Sequence, residues 1–338
     1  MEANRAAIVR RTGGPERVVV EDVAMPSPGP GELLIRCTAT GVAFADVVMR
    51  MGVYPGVKVP FTPGYEVVGT VVSGGGFAAG TRVAALTVTG GAARCAVVPA
   101  ADCVAIPDGL DDAAAAALVL NGVTAYQMLT RCVAQPSVER MLVWGAAGGV
   151  GSILLALGKH FGIATYGVAS GGRRAFVEAH GATAIDRGGD VAAQVQAHGG
   201  VDAVFDGVGG PNVRISEAAL RPGGALVLFG FQGALSGTGG FNPLRAAAAV
   251  LRSPRRSAQA QFMSGNGLRG YLITQWKDTH PGFYRDDLAA VLALGASGAV
   301  VPSIAAELPL DRIAEGHRMI GDGRQLGKIV VRPWGDKW

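Results

Sequence analysis

Short apolar runs alternate with longer helical stretches through the middle of the chain. The short runs predict strands, at Met141–Trp144, Ala164–Val168, Thr183–Ile185, Ala203–Phe205 and Ala225–Phe229. The longer stretches predict helices, at Gly149–Phe161, Gly172–His180 and Asn212–Ala219. Strands that alternate with helices form βαβ units, so this region predicts a doubly wound parallel sheet.

The first third of the chain has a different pattern, rich in valine, glycine and proline. Short runs at Leu33–Arg36, Tyr65–Val72 and Ala92–Val98 are separated by turn clusters at Pro26–Gly31 and Ser73–Gly76. Runs of this length between turn-forming residues are typical of strands. This part of the chain therefore predicts a separate, β-rich domain.

Helical patterns separate and follow these two regions. Asp111 and Asp112 open an alanine-rich helix, because acidic side chains favour a first helical turn, and Asn121–Leu129 predicts another helical stretch. The tail predicts a helix, a strand, a helix and a strand, at Asp286–Leu294, Ile304–Pro309, Asp311–Ile320 and Lys328–Val331. We therefore predict an α/β protein with a β-rich domain of residues 1–122, completed by residues 301–338, and a second domain of residues 123–300.

Composition and charge exclude several classes of protein. The 338 residues are 49% apolar, which is enough for two buried cores. The net charge of +4 gives no electrostatic reason to expect nucleic acid as a partner. The uncharged run Met141–Gly158 is interrupted by glycines where a strand turns into a helix, so we expect no transmembrane segment.

The cysteines and the N-terminus indicate a cytoplasmic protein. Cys37, Cys95, Cys103 and Cys132 show no C-x-x-C spacing, which disfavours a disulfide framework and a structural zinc lobe. The first residues carry charges and strand-like runs instead of the apolar core of a signal peptide. We therefore expect a reducing compartment.

The sharpest motif is a glycine-rich turn directly after the strand at Met141–Trp144. The sequence Ala-Ala-Gly-Gly-Val-Gly, ending at Gly151, leads straight into a helix. Glycines there let the backbone turn tightly and approach a pyrophosphate, with the helix N-terminus facing the phosphates. Such a turn can serve tight packing alone, but its place at the head of a βαβ series predicts a dinucleotide site.

The end of the second strand indicates which dinucleotide binds. An acidic residue there would hold the ribose hydroxyls of NAD, but this chain has Ser170, two glycines, Arg173 and Arg174. A hydroxyl and guanidinium groups suit the 2′-phosphate of NADPH. The alternative is that both arginines are solvated in the first turn of a helix, where the helix dipole disfavours cations. Because the helix dipole disfavours arginines at this position, a bound phosphate would explain their presence. We therefore predict NADPH, with Arg173 as its contact.

Several further motifs span nearly the whole chain, and they are Gly41–Asp46, Gly52–Pro55, Pro63–Gly69, Asn121–Tyr126 and Val201–Gly209. Together with the glycine turn, they resemble the quinone oxidoreductase and enoyl reductase branch of the medium-chain dehydrogenase/reductase superfamily. Within that branch, Leu118–Leu129 and Phe241–Leu272 are most similar to the vesicle amine transport protein-like subgroup.

The resemblance implies an N-terminal GroES-like domain that binds substrate, a Rossmann domain that binds NADPH, a cleft between them and a homodimer. At the phosphates and ribose of the cofactor it places Thr124, Gly148, Gly149 and Val150. At the adenosine 2′-phosphate it places Ser170 and Arg173, with Arg187 near the adenosine. It places others beside the nicotinamide, namely Gly207, Phe229, Gly230, Tyr271 and Leu272. Arg324 is expected to close over the cofactor.

The chain also departs from its relatives at positions that carry chemistry. Zinc alcohol dehydrogenases of this superfamily have a cysteine and a histidine ligand where this chain has Ala43 and Tyr65, so we expect no metal site. Quinone reductases commonly have an asparagine at the place of Ala43 and sometimes a tyrosine at that of Val48, and the absence of both polar groups puts a quinone in doubt. An apolar pocket favours a hydrophobic enone or an acyl chain, including a thioester of an acyl carrier or of CoA.

Reduction of a double bond conjugated to a carbonyl needs no metal if the developing enolate oxygen is stabilised. Tyr54, in the Gly-Val-Tyr-Pro loop, is the candidate catalytic residue that would hydrogen-bond that oxygen or relay a proton. The alternative is that its ring packs on the loop while backbone groups and water serve the reaction.

The histidines and arginines allow less specific interpretations. The dispersed histidines disfavour a metal cluster or a serine–histidine triad and are interpreted as surface residues, namely His160, His180, His198, His280 and His317. Residues 218–277 contain no Asp or Glu but carry Arg221, Arg245, Arg252, Arg255, Arg256 and Arg269. Such a segment fits a surface for anionic lipid, for a phosphopantetheine arm or for a CoA phosphate, and equally a solvated helix.

Three functions therefore remain open. The first is an NADPH-dependent reductase of an enone, quinone or 2-enoyl thioester, acting on a small hydrophobic substrate. The second is a weakly catalytic, nucleotide-binding protein that acts through its surface or a membrane. The third is a biosynthetic tailoring reductase or cyclase. The first and third predict consumption of NADPH, whereas the second predicts binding without turnover.

Overall fold

The chain divides into two units, each built on its own β-sheet. The computed structural model describes residues 4–133, 137–235, 257–323 and 325–335. Within these ranges, the first unit contains residues 4–123 and 277–335, and the second contains residues 124–235 and 257–276.

The strands follow one another along the chain as β1 (Asn4–Val9), β2 (Val18–Val23), β3 (Glu32–Val42), β4 (Glu66–Gly74), β5 (Arg82–Leu86), β6 (Cys95–Pro99), β7 (Cys103–Ala105), β8 (Arg140–Val143), β9 (Ala164–Ala169), β10 (Thr183–Asp186), β11 (Val201–Asp206), β12 (Leu220–Leu228), β13 (Gly267–Gly270), β14 (Ile304–Pro309) and β15 (Lys328–Arg332). The described helices are α1 (Phe44–Arg50), α2 (Asp112–Gln127), α3 (Gly149–Phe161), α4 (Arg173–Ala179), α5 (Val191–Gln196), α6 (Asn212–Ala218), α7 (Gln232–Leu235), α8 (Ala258–Ser264), α9 (Ile273–Thr279), α10 (Pro281–Ala296) and α11 (Ile313–Asp322). Short 3-10 turns lie at Pro15–Arg17, Ala100–Asp102 and Leu310–Arg312.

The first unit contains a seven-stranded sheet and the β1–β2 hairpin. The sheet order is β14-β15-β3-β4-β5-β7, and β6 also pairs with β3. All pairs in it are antiparallel except β14 with β15. Alternate residues of β3, including Leu33, Ile35 and Cys37, are fully buried, because successive side chains of a strand point to opposite faces. The predicted β-rich domain with a GroES-like architecture is therefore confirmed.

The second unit contains a six-stranded parallel sheet. Its order is β10-β9-β8-β11-β12-β13. Each of these strands pairs with its neighbours in parallel. Continuous apolar runs such as that of β8 are buried on both faces, with Leu142, Val204 and Leu226 in the core. The predicted doubly wound Rossmann sheet is confirmed, and α3 begins and ends at the predicted residues.

Two element boundaries differ from the sequence predictions. Helix α2 is continuous through Asn121, which is 7% exposed, and is followed by a π-helical turn at Met128–Cys132. The chain returns to the first unit at Lys277, ahead of the expected residue 301. Lys277 Nζ lies 2.6 Å from Asp102 Oδ2, and Leu86 N–H donates to the Tyr284 hydroxyl at 2.7 Å. These polar contacts between distant residues are not visible in the hydrophobic pattern.

One helical stretch has the length and composition of a membrane span. It covers Asp112–Cys132, with 21 residues and a mean hydropathy of 1.2 in its most apolar window. However, 83% of that window is buried inside the protein, as in the core helix of a globular unit. The stretch is therefore weak evidence for membrane insertion.

The interpretation of all histidines as surface residues is wrong for His317. This residue is fully buried in α11, on the face that also buries Ile313 and Ile320. Residues four and three positions apart share one helix face, so the apolar face of α11 carries the imidazole inward. Burial, with a smaller contribution from the Arg50 charge, lowers the pKa of His317 to about 3.

Replacing His317 by leucine is expected to make the protein less sensitive to acid. In the unfolded chain this imidazole binds a proton below a pKa of about 6.5, whereas the folded chain leaves it neutral down to pH of about 3. The folded state therefore loses up to about 1.4 kcal/mol per pH unit as the pH falls through this window. Urea denaturation at several pH values checks this. A wild type and a His317→Leu variant with parallel pH dependences would contradict it.

Candidate functional site

The carboxyl ends of the parallel strands in the second unit meet at one edge of the sheet. The chain runs from β8 outward through β9 to β10, and then resumes on the other side of β8 with β11. This reversal of strand order between β8 and β11 is a topological switch point. Ligands of doubly wound sheets bind outside the strand ends at such a point.

The glycine turn after β8 lies at this switch point. Gly145 has a φ of +65°, which favours glycine, and its carbonyl accepts a hydrogen bond from Gly148 N at 2.8 Å. A Cβ on Gly151 would collide with the Gly145 carbonyl oxygen and lie 2.7 Å from the Ala146 Cα. The turn is therefore packed directly on the first turn of α3, and a side chain at Gly151 cannot be accommodated without moving backbone.

This turn fits a pyrophosphate. Helix α3 begins at Gly149, its N-cap is Gly148, and neither residue has a side chain that would cover the helix end. The first N–H groups of a helix have no acceptor within the helix and carry the positive end of its dipole. Gly148, Gly149 and Val150 are partly exposed, so a ligand can approach this helix start. An anion placed there receives hydrogen bonds from the backbone itself.

The residues predicted to contact a 2′-phosphate lie at the end of β9. Ser170 is exposed, and its carbonyl accepts a hydrogen bond from Arg173 N, at the start of α4, at 3.3 Å. Arg187 N donates to the Ala169 carbonyl at 3.0 Å, which places Arg187 beside the same strand end. The structure therefore brings Ser170, Arg173 and Arg187 together at one corner of the sheet edge.

A carboxylate also lies near this corner, which the sequence did not indicate. Asp186 ends β10 and pairs in register with Ala169. Its Oδ1 lies 3.9 Å from Arg174 Nη1, and both side chains are about half exposed. Arg174 thus offsets the charge of Asp186.

Asp206, at the end of β11, is a residue whose role sequence reasoning missed. Its fully buried carboxylate accepts four hydrogen bonds, from Val208 N at 2.7 Å, Gly209 N at 3.0 Å, Asn212 Nδ2 at 2.9 Å and Ser216 Oγ at 2.9 Å. These bonds fix the loop that carries Gly207. The sequence signal for this role was an acidic residue at an otherwise apolar strand end. A carboxylate buried there requires several hydrogen-bond donors from the loop that follows.

The residues predicted to lie beside the nicotinamide are brought together where β11 and β12 end. Phe229 N donates to the Asp206 carbonyl at 3.1 Å. A Cβ on Gly207 would lie 3.0 Å from the Phe229 ring, and one on Gly230 would lie 2.8 Å from the Gly207 carbonyl oxygen. Both glycines are therefore needed for the close approach of these two loops.

Tyr271 and Thr124 adjoin this group through α2. Tyr271 N donates to the Leu228 carbonyl at 2.8 Å, and its hydroxyl donates to Gln127 Oε1 at 2.7 Å. Thr124 lies one helical turn before Gln127 and is buried. Leu272, by contrast, is half exposed.

Arg324 and the arginines at positions 245, 252, 255 and 256 lie outside the described residues.

In the first unit, Asp46 joins the two segments that hold Ala43 and Tyr65. Its carboxylate accepts hydrogen bonds from Ala43 N at 2.8 Å and from Gly64 N at 2.9 Å. Burial raises the pKa of Asp46 to about 7, and the two N–H donors limit the rise. The buried carboxylate of Asp46 therefore links the start of α1 to the loop before β4.

Tyr54 contacts Tyr65 through their hydroxyl groups. The two oxygens lie 2.6 Å apart, and the rings meet edge to face with centroids 6.5 Å apart. Tyr65 is buried, and Tyr54 is half-buried. The ring of Tyr54 thus meets the ring of Tyr65, and its hydroxyl takes part in a polar pair that the sequence did not reveal.

A buried ion pair lies directly next to Tyr65. Lys328 Nζ lies 2.6 Å from Glu66 Oε1, and the two side chains are 3% and 0% exposed. Burial raises the pKa of Glu66, and the Lys328 charge opposes that rise. The pair connects β15 to the start of β4, and a Cβ on Gly41 would collide with both side chains.

The chain is similar to known proteins over its whole length. Residues 29–108 match the family model of the alcohol dehydrogenase GroES-like domain, and residues 180–331 match that of zinc-binding dehydrogenases. The human synaptic vesicle membrane protein VAT-1 homolog is 29% identical, over 98% of this chain and 87% of the relative. The 2-haloacrylate reductase of a Burkholderia species is 28% identical, over 97% of this chain and 98% of the relative. The structure of mycobacterial Rv1454c complexed with NADPH superposes with a TM-score of 0.83 at 28% identity, over 98% of this chain and 100% of that one.

The residues present do not fit a zinc ion. Ala43 has no ligand atom, and the Tyr65 phenol is buried with its pKa raised by burial, whereas zinc in proteins takes thiolate, imidazole or carboxylate ligands. Among the described residues, no group of three or more His, Cys, Asp or Glu side chains could hold a metal. The cysteines are buried free thiols.

Proposed function

Because this chain belongs to the medium-chain dehydrogenase/reductase superfamily, in the branch of quinone oxidoreductases and VAT-1-like proteins, we propose that it is an NADPH-dependent reductase of double bonds conjugated to a carbonyl group. The observation that carries the proposal is the glycine turn at the switch point of the sheet. Its side-chain-free helix start at Gly149 adjoins the strand end that holds Ser170 and Arg173.

The proposed cofactor contacts divide into three groups along the strand ends. The glycine turn holds the pyrophosphate through the amides of Gly149 and Val150. Gly148, whose own amide donates to the Gly145 carbonyl, lies beside it with Thr124. Ser170 and Arg173 hold the 2′-phosphate, and Arg187 borders the adenosine. Beside the nicotinamide lie Gly207, Phe229 and Gly230, with Tyr271 and Leu272 close by. A related protein of known structure is described as complexed with NADPH, which supports this choice of dinucleotide.

Bound NADPH supplies a hydride, and the chain supplies position and hydrogen bonds. The proposed role of Tyr54 is to donate a hydrogen bond from its hydroxyl to the carbonyl oxygen of the substrate. Negative charge develops on that oxygen when the double bond is reduced, and a donor already in place stabilises it. No metal ion is required for this arrangement.

The proposed substrate is a small hydrophobic enone, quinone or 2-enoyl thioester. Ala43 is buried and Val48 is half-buried, so neither position offers a polar group to a second oxygen. This disfavours a quinone within the class. The name of the related 2-haloacrylate reductase describes reduction of an activated acrylate, and it supports a double bond next to a carboxyl or acyl group.

A second candidate function rests on the similarity to the VAT-1 homologs, which are named as synaptic vesicle membrane proteins. It is nucleotide binding with little turnover, through which the protein would act at a surface.

We further propose a cytoplasmic location and a homodimer, both from family membership.

The proposal is tested by measuring NADPH and NADH affinity, followed by NADPH oxidation with enones, quinones, acrylates and acyl thioesters. Consumption of NADPH with any of these supports the reductase. Tight NADPH binding without oxidation above background would overturn it in favour of the second candidate.

Replacing Arg173 by alanine is expected to weaken NADPH binding selectively. Loss of a charge-assisted contact to the 2′-phosphate costs about 1–3 kcal/mol, or about a 5- to 150-fold increase in the NADPH dissociation constant. The NADH dissociation constant is expected to stay unchanged, because NADH lacks that phosphate. Arg214, exposed on α6, provides the matched control, since Arg214→Ala removes the same charge elsewhere on the unit. An equal effect of both variants, or an equal loss of NADH affinity, would contradict the assignment.

A further inference from the structure

Tyr65 has no role in the function proposed so far, although its hydroxyl lies 2.6 Å from that of Tyr54. The two residues differ in exposure, since Tyr65 is 2% exposed and Tyr54 is half-buried. Burial, and then the hydrogen bond with Tyr54, raises the pKa of the Tyr65 phenol. Tyr65 is therefore a protonated donor throughout the ordinary pH range.

The burial of Tyr65 determines the direction of this hydrogen bond. A buried hydroxyl proton without an acceptor is costly, and within the described part of the chain the Tyr54 oxygen lies at hydrogen-bond distance from the Tyr65 hydroxyl. Tyr65 therefore donates and Tyr54 accepts. The proton of Tyr54 is then turned away from Tyr65, and it is available to another acceptor.

Hydrogen bonds and a close backbone contact fix the backbone around Tyr65. Its carbonyl accepts hydrogen bonds from Thr87 N at 2.9 Å and from Val88 N at 3.2 Å. Val88 has a φ of +68°, a strained conformation for a β-branched residue. Gly64, just before Tyr65, has a φ of +103° and leaves no space for a Cβ against the Ala92 amide. Strain of this kind persists where the surroundings hold a functional group in place.

On the basis of the proposed reductase function, we infer that Tyr65 is a positioning residue that aims the Tyr54 hydroxyl at the carbonyl oxygen of the substrate. As the β-carbon gains a hydride, the double-bond electrons move toward that oxygen, which accepts the Tyr54 hydrogen bond. No proton leaves either phenol in this step, and the α-carbon is protonated afterwards by water. A hydrogen bond received by Tyr54 strengthens the one it donates, because successive hydrogen bonds polarise each other.

The test is a double-mutant cycle on the full-length protein. Tyr54→Phe is expected to lower kcat about 100-fold, the scale of an oxyanion donor. Tyr65→Phe is expected to lower kcat about 10-fold, the effect of one neutral hydrogen bond. The KM of the substrate and the dissociation constant of NADPH are expected to stay unchanged in both. Because Tyr65 acts through Tyr54, the double variant should equal Tyr54→Phe alone.

A second readout uses the protein without cofactor or substrate. In protein with ¹³Cζ-labelled tyrosine, Tyr65→Phe is expected to shift the phenol carbon resonance of Tyr54. The control is Tyr166→Phe, which removes a phenol from the buried strand β9 of the other unit and should leave that resonance in place.

The outcomes separate this role from the function on which it rests. An active wild type in which the Tyr65→Phe loss persists in the Tyr54→Phe background would overturn the positioning role alone. An unchanged Tyr54 resonance in Tyr65→Phe would do the same. Wild type that binds NADPH but reduces no substrate would overturn the proposed function together with this role.

Discussion

Replacing Gly151 by alanine is expected to abolish NADPH binding at micromolar concentrations. The new Cβ would collide with the Gly145 carbonyl oxygen and lie 2.7 Å from the Ala146 Cα, and these backbone atoms cannot move without reshaping the turn. The helix start then no longer directs its amides at the pyrophosphate. Loss of two charge-assisted hydrogen bonds costs about 3 kcal/mol or more, which is roughly a 150-fold loss of affinity. Fluorescence titration with NADPH measures this.

Gly158 supplies the control for general destabilisation of α3. A Cβ there would collide with the Thr165 side chain and lie 2.6 Å from the Met141 Cε, on the face of the helix that packs on the sheet. Overpacking at either glycine is expected to cost about 1–3 kcal/mol of stability, measured by urea denaturation. Gly158→Ala should nevertheless retain NADPH affinity, because it lies two turns from the helix start. Equal losses of affinity would show that the Gly151 effect is indirect.

The features that the sequence predicted well are local ones. The glycine turn, the bounds of α3 and the strand β14 follow from the order of neighbouring residues, since turns and helix starts are decided within a few positions. The two-domain α/β class follows from the alternation of elements along the chain. The burial of His317 was also accessible, because its spacing from Ile313 and Ile320 places it on their helix face.

The features that the sequence did not predict join residues that are far apart in the chain. The contact between Tyr54 and Tyr65 depends on how the loop before β4 folds back on an earlier loop. The pairing of Asp186 with Arg174 depends on strand register, which a hydrophobic pattern does not specify for a single side chain. Sequence reasoning therefore located the glycine turn but not the polar contact between Tyr54 and Tyr65.

Replacing Lys328 by methionine is expected to destabilise the protein by about 3–5 kcal/mol, because it leaves the Glu66 carboxylate buried without its partner. The two side chains are almost fully buried and 2.6 Å apart, so the remaining charge cannot reach water without a structural change. Burial raises the pKa of Glu66, and loss of the lysine charge removes the effect that opposes this rise. The destabilisation should therefore decrease at acidic pH, where Glu66 takes up a proton in the folded state. Urea denaturation of Lys328→Met at several pH values measures this.

The double variant with Glu66→Gln separates the lost charge from the lost packing. Methionine and glutamine approximate the shapes of the two original side chains without either charge, so the double variant is expected to recover most of the stability. Because Glu66 follows Tyr65 directly, the single variant should also displace the Tyr65 hydroxyl and lower kcat, and the double variant should restore it. If the double variant were as unstable as Lys328→Met alone, the lost stability would come from packing and not from the unpaired charge. The stability of Lys328→Met would then show no recovery at acidic pH.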